Sequence, residues 1–301
     1  MKVLLSLLVL LIPLKGFSPQ EGGGGNVCSY RGELVLLDEF YSDYGNVSGT
    51  QWAPPQEKPV YRVDETGEKI LDLTKMETAS VFLKTLNWYR TKLDKDLFRE
   101  LQDYFMALDT VYMKREQFMQ AWSPDGHYRI GCAKGFMRAL IVSTPEGVTM
   151  LSQKDWDQLH PQRKQIVMFH ETLRLAQIHT DWFKDVMNDE LSVLTMMLFH
   201  GAMRDITSHP AWSKIVSDLK AQLYTTDSLA VIEKNISEAQ DSLQSSQAVS
   251  DVNRLSMLLK QKDIKLGREP GLHFSNQMKI LRANPLYQAK AAEIVRDMRN
   301  H

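Results

Sequence analysis

A short β-prone run followed by a helix-length segment with adjacent histidine and glutamate constrains this chain more than any other feature. The run spans 148–151, and a polar connection leads from it to Pro161, which suits the first turn of a helix. Beyond Pro161, apolar residues recur at helical spacing to about residue 180, with His170 and Glu171 near the middle. Upstream, 139–143 also has the pattern of a strand, and 144–147 has the residues of a hairpin turn. The pattern predicts a hairpin of two strands and then a helix that presents His-Glu.

The polar residues of the predicted helix fall along one stripe. At about 100° per residue, Arg174 lies about 40° and Asp181 about 20° from His170 around the helix axis. Apolar residues such as Ile166 and Val167 flank this stripe. A polar stripe inside an apolar sector is expected to be partly buried, and buried polar groups need partners. We therefore predict that Arg174 pairs with a carboxylate, from Asp181 or from an acid on the following helix.

The His-Glu pair matches the first half of a zinc-binding motif. In H-E-x-x-H, two histidines one helical turn apart bind Zn²⁺ and the glutamate is the general base. Here the five residues are His170-Glu171-Thr172-Leu173-Arg174. The guanidinium of Arg174 stays protonated and has no lone pair to give to a metal. The motif therefore has the layout of a zinc site and lacks its second ligand.

The stretch 129–181 resembles the core of the zincin metallopeptidases. It has predicted strands, an edge strand, and then a helix with His-Glu and an aspartate eleven residues after the histidine. The whole chain, with its Gly-rich segment before the first cysteine and its H-E-x-L-R helix, is similar to uncharacterised exported proteins of Gram-negative bacteria. The resemblance implies that His170 takes the first-ligand position, Glu171 the base position and Asp181 the distal-acid position. Arg174 departs from the family's motif.

Two interpretations of this site follow. In the first, His170, Arg174, Asp181 and neighbouring carboxylates form an internal network with every member paired. In the second, His170 with Asp181 or Glu190 holds a metal, and Glu171 polarises its water. Two protein ligands fall short of the three that are usual at a catalytic zinc site. We therefore expect no cofactor, with zinc bound only if the site is active.

The N-terminus is typical of an export signal. Met1 and Lys2 form a positive start, and 3–14 is an uncharged, mostly apolar stretch within the usual length of about 7–15 residues. A bilayer-spanning helix needs about 20 apolar residues, so we expect no stable membrane span. We assign 1–18 as a signal peptide and expect an exported protein, periplasmic or secreted. The alternative is an uncleaved N-terminal anchor.

The chain has two cysteines, Cys28 and Cys132. An even, sparse count in an exported protein suggests one disulfide, and we predict that these two residues form it. The alternative is a pair of unrelated buried thiols.

Composition is that of an ordinary globular protein. The net charge is −1, and no dense Lys/Arg run stands out, so nucleic acid is not expected as a partner. An apolar fraction of 43% is enough for a packed core. Helical pattern dominates after the His-Glu segment, in predicted segments at about 161–180, 184–206, 211–223, 227–245, 247–263 and 286–300.

These patterns predict a mostly helical α+β fold: a small antiparallel sheet packed beside a buried His-Glu helix, with a helical C-terminal extension. After the signal peptide we expect a Gly-rich spacer (19–27), a zincin-like core (28–206) and the extension packed on the core (207–301).

The expected function is that of an exported zincin-like protein with a degenerate peptidase site. It would bind an unknown protein or peptide partner, or act as a structural component of the envelope, without catalysis. One alternative is an active metal-dependent peptidase with unusual ligation. The other is a helical interaction protein in which the His-Glu pair is accidental.

Overall fold

Helices account for most of the residues that the structure describes, so the prediction of a mostly helical chain is confirmed. The computed structural model describes residues 26–30, 33–36, 38, 61–63, 69–71, 93–108, 110–113, 138–200 and 210–300. The helices within these ranges are α1 (Lys95–Met106), α2 (Gln153–Gln158), α3 (Pro161–His179), α4 (Asn188–His200), α5 (Pro210–Leu223), α6 (Leu229–Ser246), α7 (Val249–Lys265), α8 (His273–Arg282) and α9 (Pro285–Asn300).

The strands within the same ranges form two sheets. They are β1 (Asn26–Tyr30), β2 (Glu33–Leu36), β3 (Tyr61–Val63), β4 (Lys69–Leu71), β5 (Thr110–Met113), β6 (Arg138–Ala139), β7 (Ile141–Ser143) and β8 (Thr149–Ser152). The first sheet has the order β2-β1-β6 and the second the order β3-β4-β5-β8-β7.

The prediction of a small antiparallel sheet beside the His-Glu helix was wrong. The sheet that contains β7 and β8 has five strands and is mixed, because β5 and β8 pair in parallel while β7 and β8 pair antiparallel. Parallel neighbours need a long connection between them, here residues 114–148. No local turn signal announces such a pairing, so the sequence pattern revealed only the hairpin.

The hairpin of β7 and β8 carries the residues closest to the His-Glu helix. Ser143 pairs with Thr149 across it, and Thr144 N–H donates to the Val148 carbonyl at 2.9 Å to close the turn. Gly147 occupies the turn with φ of 78°, and a Cβ there would lie 3.0 Å from Cγ2 of Val249 on α7. Glycine is therefore required both by the backbone angle and by the close approach of α7.

Strand β8 lies between two helices. All four of its residues are buried. Met150, with the neighbouring Val148, packs against Val295 of α9, whereas Leu151 belongs to the main core, which also contains α3. Successive side chains of a strand point to opposite faces, so α3 and α9 cover the two faces of β8.

Helix α3 is buried along most of its length, and its apolar residues belong to the main core. Ile166, Met168, Phe169 and Leu173 are at most 1% exposed. The helix ends at His179, and the next residue, Thr180, donates its N–H to the Ala176 carbonyl at 2.9 Å. The buried His-Glu helix is therefore present.

The C-terminal helices share the main core with α1 and α3. Trp212 and Leu219 of α5, Val252 of α7 and Phe274 of α8 belong to the same buried cluster as the apolar face of α1. Helix α6 packs on α7 through a smaller cluster around Ile232. Among the described helices, none has the length and apolar character needed to cross a membrane.

Helix α8 was missed in the predicted segments. Its first residues carry no side-chain cap of their own. Instead, both carboxylate oxygens of Asp103 on α1 accept its leading N–H groups, from Phe274 at 2.9 Å and from Ser275 at 2.8 Å. A cap supplied by a distant helix leaves no local signal in the sequence.

Candidate functional site: a buried polar network on helix α3

His170 pairs with an aspartate that lies far from it in sequence. The Nδ1 atom of His170 is 3.1 Å from Oδ1 of Asp38, with a sequence separation of 132 residues. Their side chains are 1% and 0% exposed, so the pair is shielded from solvent. The second carboxylate oxygen of Asp38, Oδ2, is also buried and has no hydrogen-bond partner among the described residues. No sequence pattern indicated that Asp38 belongs to the site.

Glu171 is held by the hairpin of β7 and β8. The Ser143 hydroxyl donates to Oε2 of Glu171 at 2.8 Å, and Ser143 and Thr149 hydroxyl oxygens lie 3.0 Å apart. Because Ser143 spends its single hydroxyl proton on Glu171, the Thr149 hydroxyl donates to Ser143. Glu171 is buried, so the Ser143 hydroxyl, which Thr149 orients, replaces water that would otherwise solvate the carboxylate.

Arg174 lies one turn further along α3 and is half-buried. Its guanidinium donates to the Gln177 side-chain oxygen, and the Gln177 amide in turn donates to the Val186 carbonyl. The charge of Arg174 also acts on Glu171. The guanidinium is thus tied to the chain that follows α3 as well as to α3 itself.

In this network, the effect of burial on each pKa is partly or fully offset by a neighbouring group of opposite charge. Burial alone would lower the pKa of His170, but the charge and hydrogen bond of Asp38, with the charge of Glu171, raise it above its ordinary value. Burial raises the pKa of Glu171, although His170, Ser143 and Arg174 offset part of that effect. Burial lowers the pKa of Arg174, partly offset by Glu171. Two acids therefore face two bases in a poorly solvated site.

Of the two predicted sources of a carboxylate for Arg174, Asp181 and an acid on the following helix, the structure excludes Asp181. The Asp181 carboxylate is 74% exposed and accepts from Lys184 at 3.0 Å. The helical projection placed Asp181 beside His170, but α3 ends at His179, so the projection no longer applies at Asp181. Asp181 lies on the surface instead of in the stripe.

The predicted metal ligands do not come together as a set. His170 is buried in α3, Asp181 is on the surface after the helix, and Glu190 is half-buried near the start of α4. Within the described ranges, no three His, Cys, Asp or Glu side chains are grouped closely enough to hold a metal ion. Of the residues named from sequence, His170, Glu171 and Arg174 share one site, and the structure adds Asp38 and Ser143.

The network can fix the positions of protons and of the backbone. One of its features, the pairing of His170 with Asp38, is also used at metal sites. A histidine whose Nδ1 donates to a carboxylate presents Nε2 to a ligand in a fixed orientation, as in many carboxylate–histidine–metal arrangements. However, a metal needs the neutral imidazole, whereas Asp38 and Glu171 favour the charged form of His170. Metal binding at Nε2 would therefore have to displace a proton from His170.

Several predictions lie outside the described residues. These are the signal peptide at 1–18, the spacer up to residue 25, and Cys132 of the predicted disulfide. Cys28 lies in β1, and its neighbour Val27 pairs with Arg138 of β6.

No protein family, curated protein or solved structure matches this chain.

Proposed function

We propose that this chain is an exported zincin-like protein whose peptidase site is degenerate, and that it acts by binding or as a structural component of the envelope. One observation carries the proposal: His170 and Glu171 are both buried, and Glu171, at the base position of the motif, already accepts a hydrogen bond from Ser143. A catalytic zinc site instead keeps one coordination position open for water or substrate. In this chain the two residues of the motif serve the packing of α3 against the rest of the core.

The residue at the second-ligand position supports the same conclusion. Arg174 places a cation one turn from His170, where a zincin has its second histidine. A fixed positive charge at that distance repels Zn²⁺. The mixed sheet beside α3 supports an α+β core, and the proposed partner is a protein or peptide and not a nucleic acid, given the net charge of −1.

Metal content and hydrolysis test this function together. The mature protein, purified without chelators, is analysed for zinc and incubated with a general peptide library. We expect less than stoichiometric zinc and no cleavage. Arg174→His is the informative variant, because it places a second histidine one turn from His170; purified in the same way, it should retain more zinc than the wild type. One tightly bound zinc per wild-type chain, with cleavage that is lost in Glu171→Gln, would contradict the proposal.

An active metal-dependent hydrolase with unusual ligation is the second candidate. The observation that favours it is the hydrogen bond from His170 Nδ1 to Asp38, which would orient Nε2 toward a metal. Zinc, if present, would supply a polarised water at that nitrogen. The zinc measurement separates the two candidates, because only the second requires a metal in the purified wild-type protein.

Export is tested on its own. Intact-mass measurement of protein recovered from the cell envelope should show the loss of about 18 residues, because the apolar stretch is too short to remain as a spanning helix. Recovery of the chain with Met1 still attached would favour the uncleaved anchor.

A further inference from the structure

Helix α1 carries three acids on one buried face. Asp96, Glu100 and Asp103 recur at helical spacing and are 3%, 2% and 0% exposed. Buried acids are rare in proteins unless they are paired, so each needs a partner from a neighbouring element. The partner of Asp96 is the Tyr224 hydroxyl, just after α5, at 3.0 Å. The partners of the other two acids come from α7 and α8.

Lys260 of α7 is the shared cation. Its Nζ lies 2.6 Å from Oε1 of Glu100 and 2.8 Å from Oδ2 of Asp103, and its side chain is 3% exposed. Asp103 also accepts the N–H groups of Phe274 and Ser275 at the start of α8. One aspartate thus joins three helices, α1, α7 and α8. A shift of α7 or α8 by one turn would break these bonds and leave charges buried without partners.

The charges of Glu100, Lys260 and Asp103 do not cancel when all three groups are ionised. Two carboxylates face one ammonium, and Oε2 of Glu100 is buried with no hydrogen-bond partner among the described residues. The charges that act on Glu100 are those of Lys260 on α7 and of Asp103 and Asp96 on its own helix. Two neighbouring elements donate hydrogen bonds to the other acids of this face. The Tyr224 hydroxyl, just after α5, donates to Asp96, and the N-terminal N–H groups of α8 donate to Asp103. The buried Tyr104 hydroxyl, on the same helix, donates to Asn253 of α7.

We propose that the Glu100–Lys260–Asp103 triad is a lock that fixes the register of α7 and α8 on α1, and that the lock becomes stronger when Glu100 takes up a proton. In the neutral form of Glu100, one carboxylate and one ammonium remain, so the buried charge is balanced. Asp103 keeps its three hydrogen-bond donors whether Glu100 is protonated or ionised, and it holds the helices together. Glu100 is the member that responds to pH.

The direction of the pH effect follows from the pKa of Glu100. Burial raises it above the ordinary 4.5, and Asp103 and Asp96 add to that rise, while Lys260 offsets part of it. An acid whose pKa is raised by folding costs stability in its charged form. The cost is absent below the unfolded value and appears as the pH rises toward the folded value. This residue therefore makes the protein more stable at mildly acidic pH, contrary to the usual behaviour of a paired carboxylate.

Urea unfolding of the full chain from pH 4.5 to pH 8 tests the lock with three variants. Glu100→Gln imitates the protonated form, so its urea midpoint should equal or exceed that of the wild type at pH 8 and match it near pH 4.5. Asp103→Asn should lower the midpoint at every pH and speed amide hydrogen exchange at the start of α8. Lys262→Met is the matched control, since Lys262 lies on the same helix but pairs with Glu233 near the surface. It should leave the pH dependence of the midpoint unchanged.

The proposal is overturned if Glu100→Gln shows the same pH profile as the wild type, or if it destabilises the protein at all pH values as strongly as Asp103→Asn. Should Asp103→Asn fail to fold, the pH profile of Glu100→Gln still decides, because it depends on the wild type and one neutral substitution alone.

Discussion

Among single residues, Asp38 is the one whose loss should most affect the site. Asp38→Ala would leave the His170 imidazole buried without its partner, and removal of one member of a buried pair typically costs about 3–5 kcal/mol. We expect that loss in the free energy of unfolding, measured with urea at pH 6. Asp181→Ala is the control, because its exposed pair with Lys184 should add little. Equal effects of the two substitutions would contradict the importance of the buried pair.

The contribution of the His170–Asp38 pair to the free energy of unfolding should depend on pH. The pKa of His170 is raised in the folded protein, so the contribution of the pair is complete below the ordinary histidine value of 6.5. It is lost as the pH rises through the folded pKa. The penalty of Asp38→Ala should therefore shrink between pH 6 and pH 9 in repeated urea titrations. A penalty that stays constant over this range would show that the charge of His170 is not involved.

Substitutions of Glu171 and Ser143 should differ in their effect on the free energy of unfolding. Glu171→Gln should change the free energy of unfolding little, because burial already penalises the charged form and the amide oxygen can accept from Ser143. Ser143→Ala should cost about 1–3 kcal/mol, since it leaves the buried carboxylate without its donor. Thermal and urea unfolding of both variants would check this. A large loss in Glu171→Gln alone would indicate that its charge is required.

The membership of this site was only partly predictable from sequence. His170, Glu171 and Arg174 share one helix, so their spacing revealed their common stripe. Asp38 was not predictable, because 132 residues separate it from its partner and no local pattern links them. Asp181 was misplaced because the helical projection was extended beyond the end of α3.

At the level of elements, the hairpin of β7 and β8 depends on Gly147. Gly147→Ala would place a methyl group 3.0 Å from Val249 in a residue with φ of 78°. The positive φ alone costs an alanine about 1–2 kcal/mol, and displacement of α7 would add to it. Gly267→Ala is a matched control, because Gly267 has φ of 69° and no atom within 4 Å of the added Cβ. The difference between the two variants in urea unfolding measures the packing of α7 on the turn, and we expect Gly147→Ala to be the less stable.

The elements were predictable where their signals are local. The hairpin followed from the turn residues between two β-prone runs, and α3 followed from its apolar spacing. The parallel pairing of β5 with β8 and the start of α8 depend on residues elsewhere in the chain. Tertiary contacts decided both, so sequence pattern alone could not supply them.

At the level of the whole molecule, the predicted bridge between Cys28 and Cys132 would join two distant parts of the sequence. Val27, next to Cys28, pairs with Arg138 of β6, which is six residues after Cys132 along the chain. A bridge between Cys28 and Cys132 would close a loop of about 100 residues, and it would stabilise the fold by about 4–5 kcal/mol in the chain-entropy model. Thiol titration of the unfolded, unreduced protein should find no free thiol; two free thiols would refute the bridge.

The position of α9 over β8 has a consequence for the order in which the molecule can form. Val295 closes one face of a strand near the middle of the chain, so that face stays uncovered while a nascent chain still lacks its last residues. Synthesis proceeds from the N-terminus, so this face of β8 can be covered only after Val295 has been made, more than 140 residues after the strand itself. The final packing of the central sheet therefore waits for a contact between residues that lie far apart in the sequence.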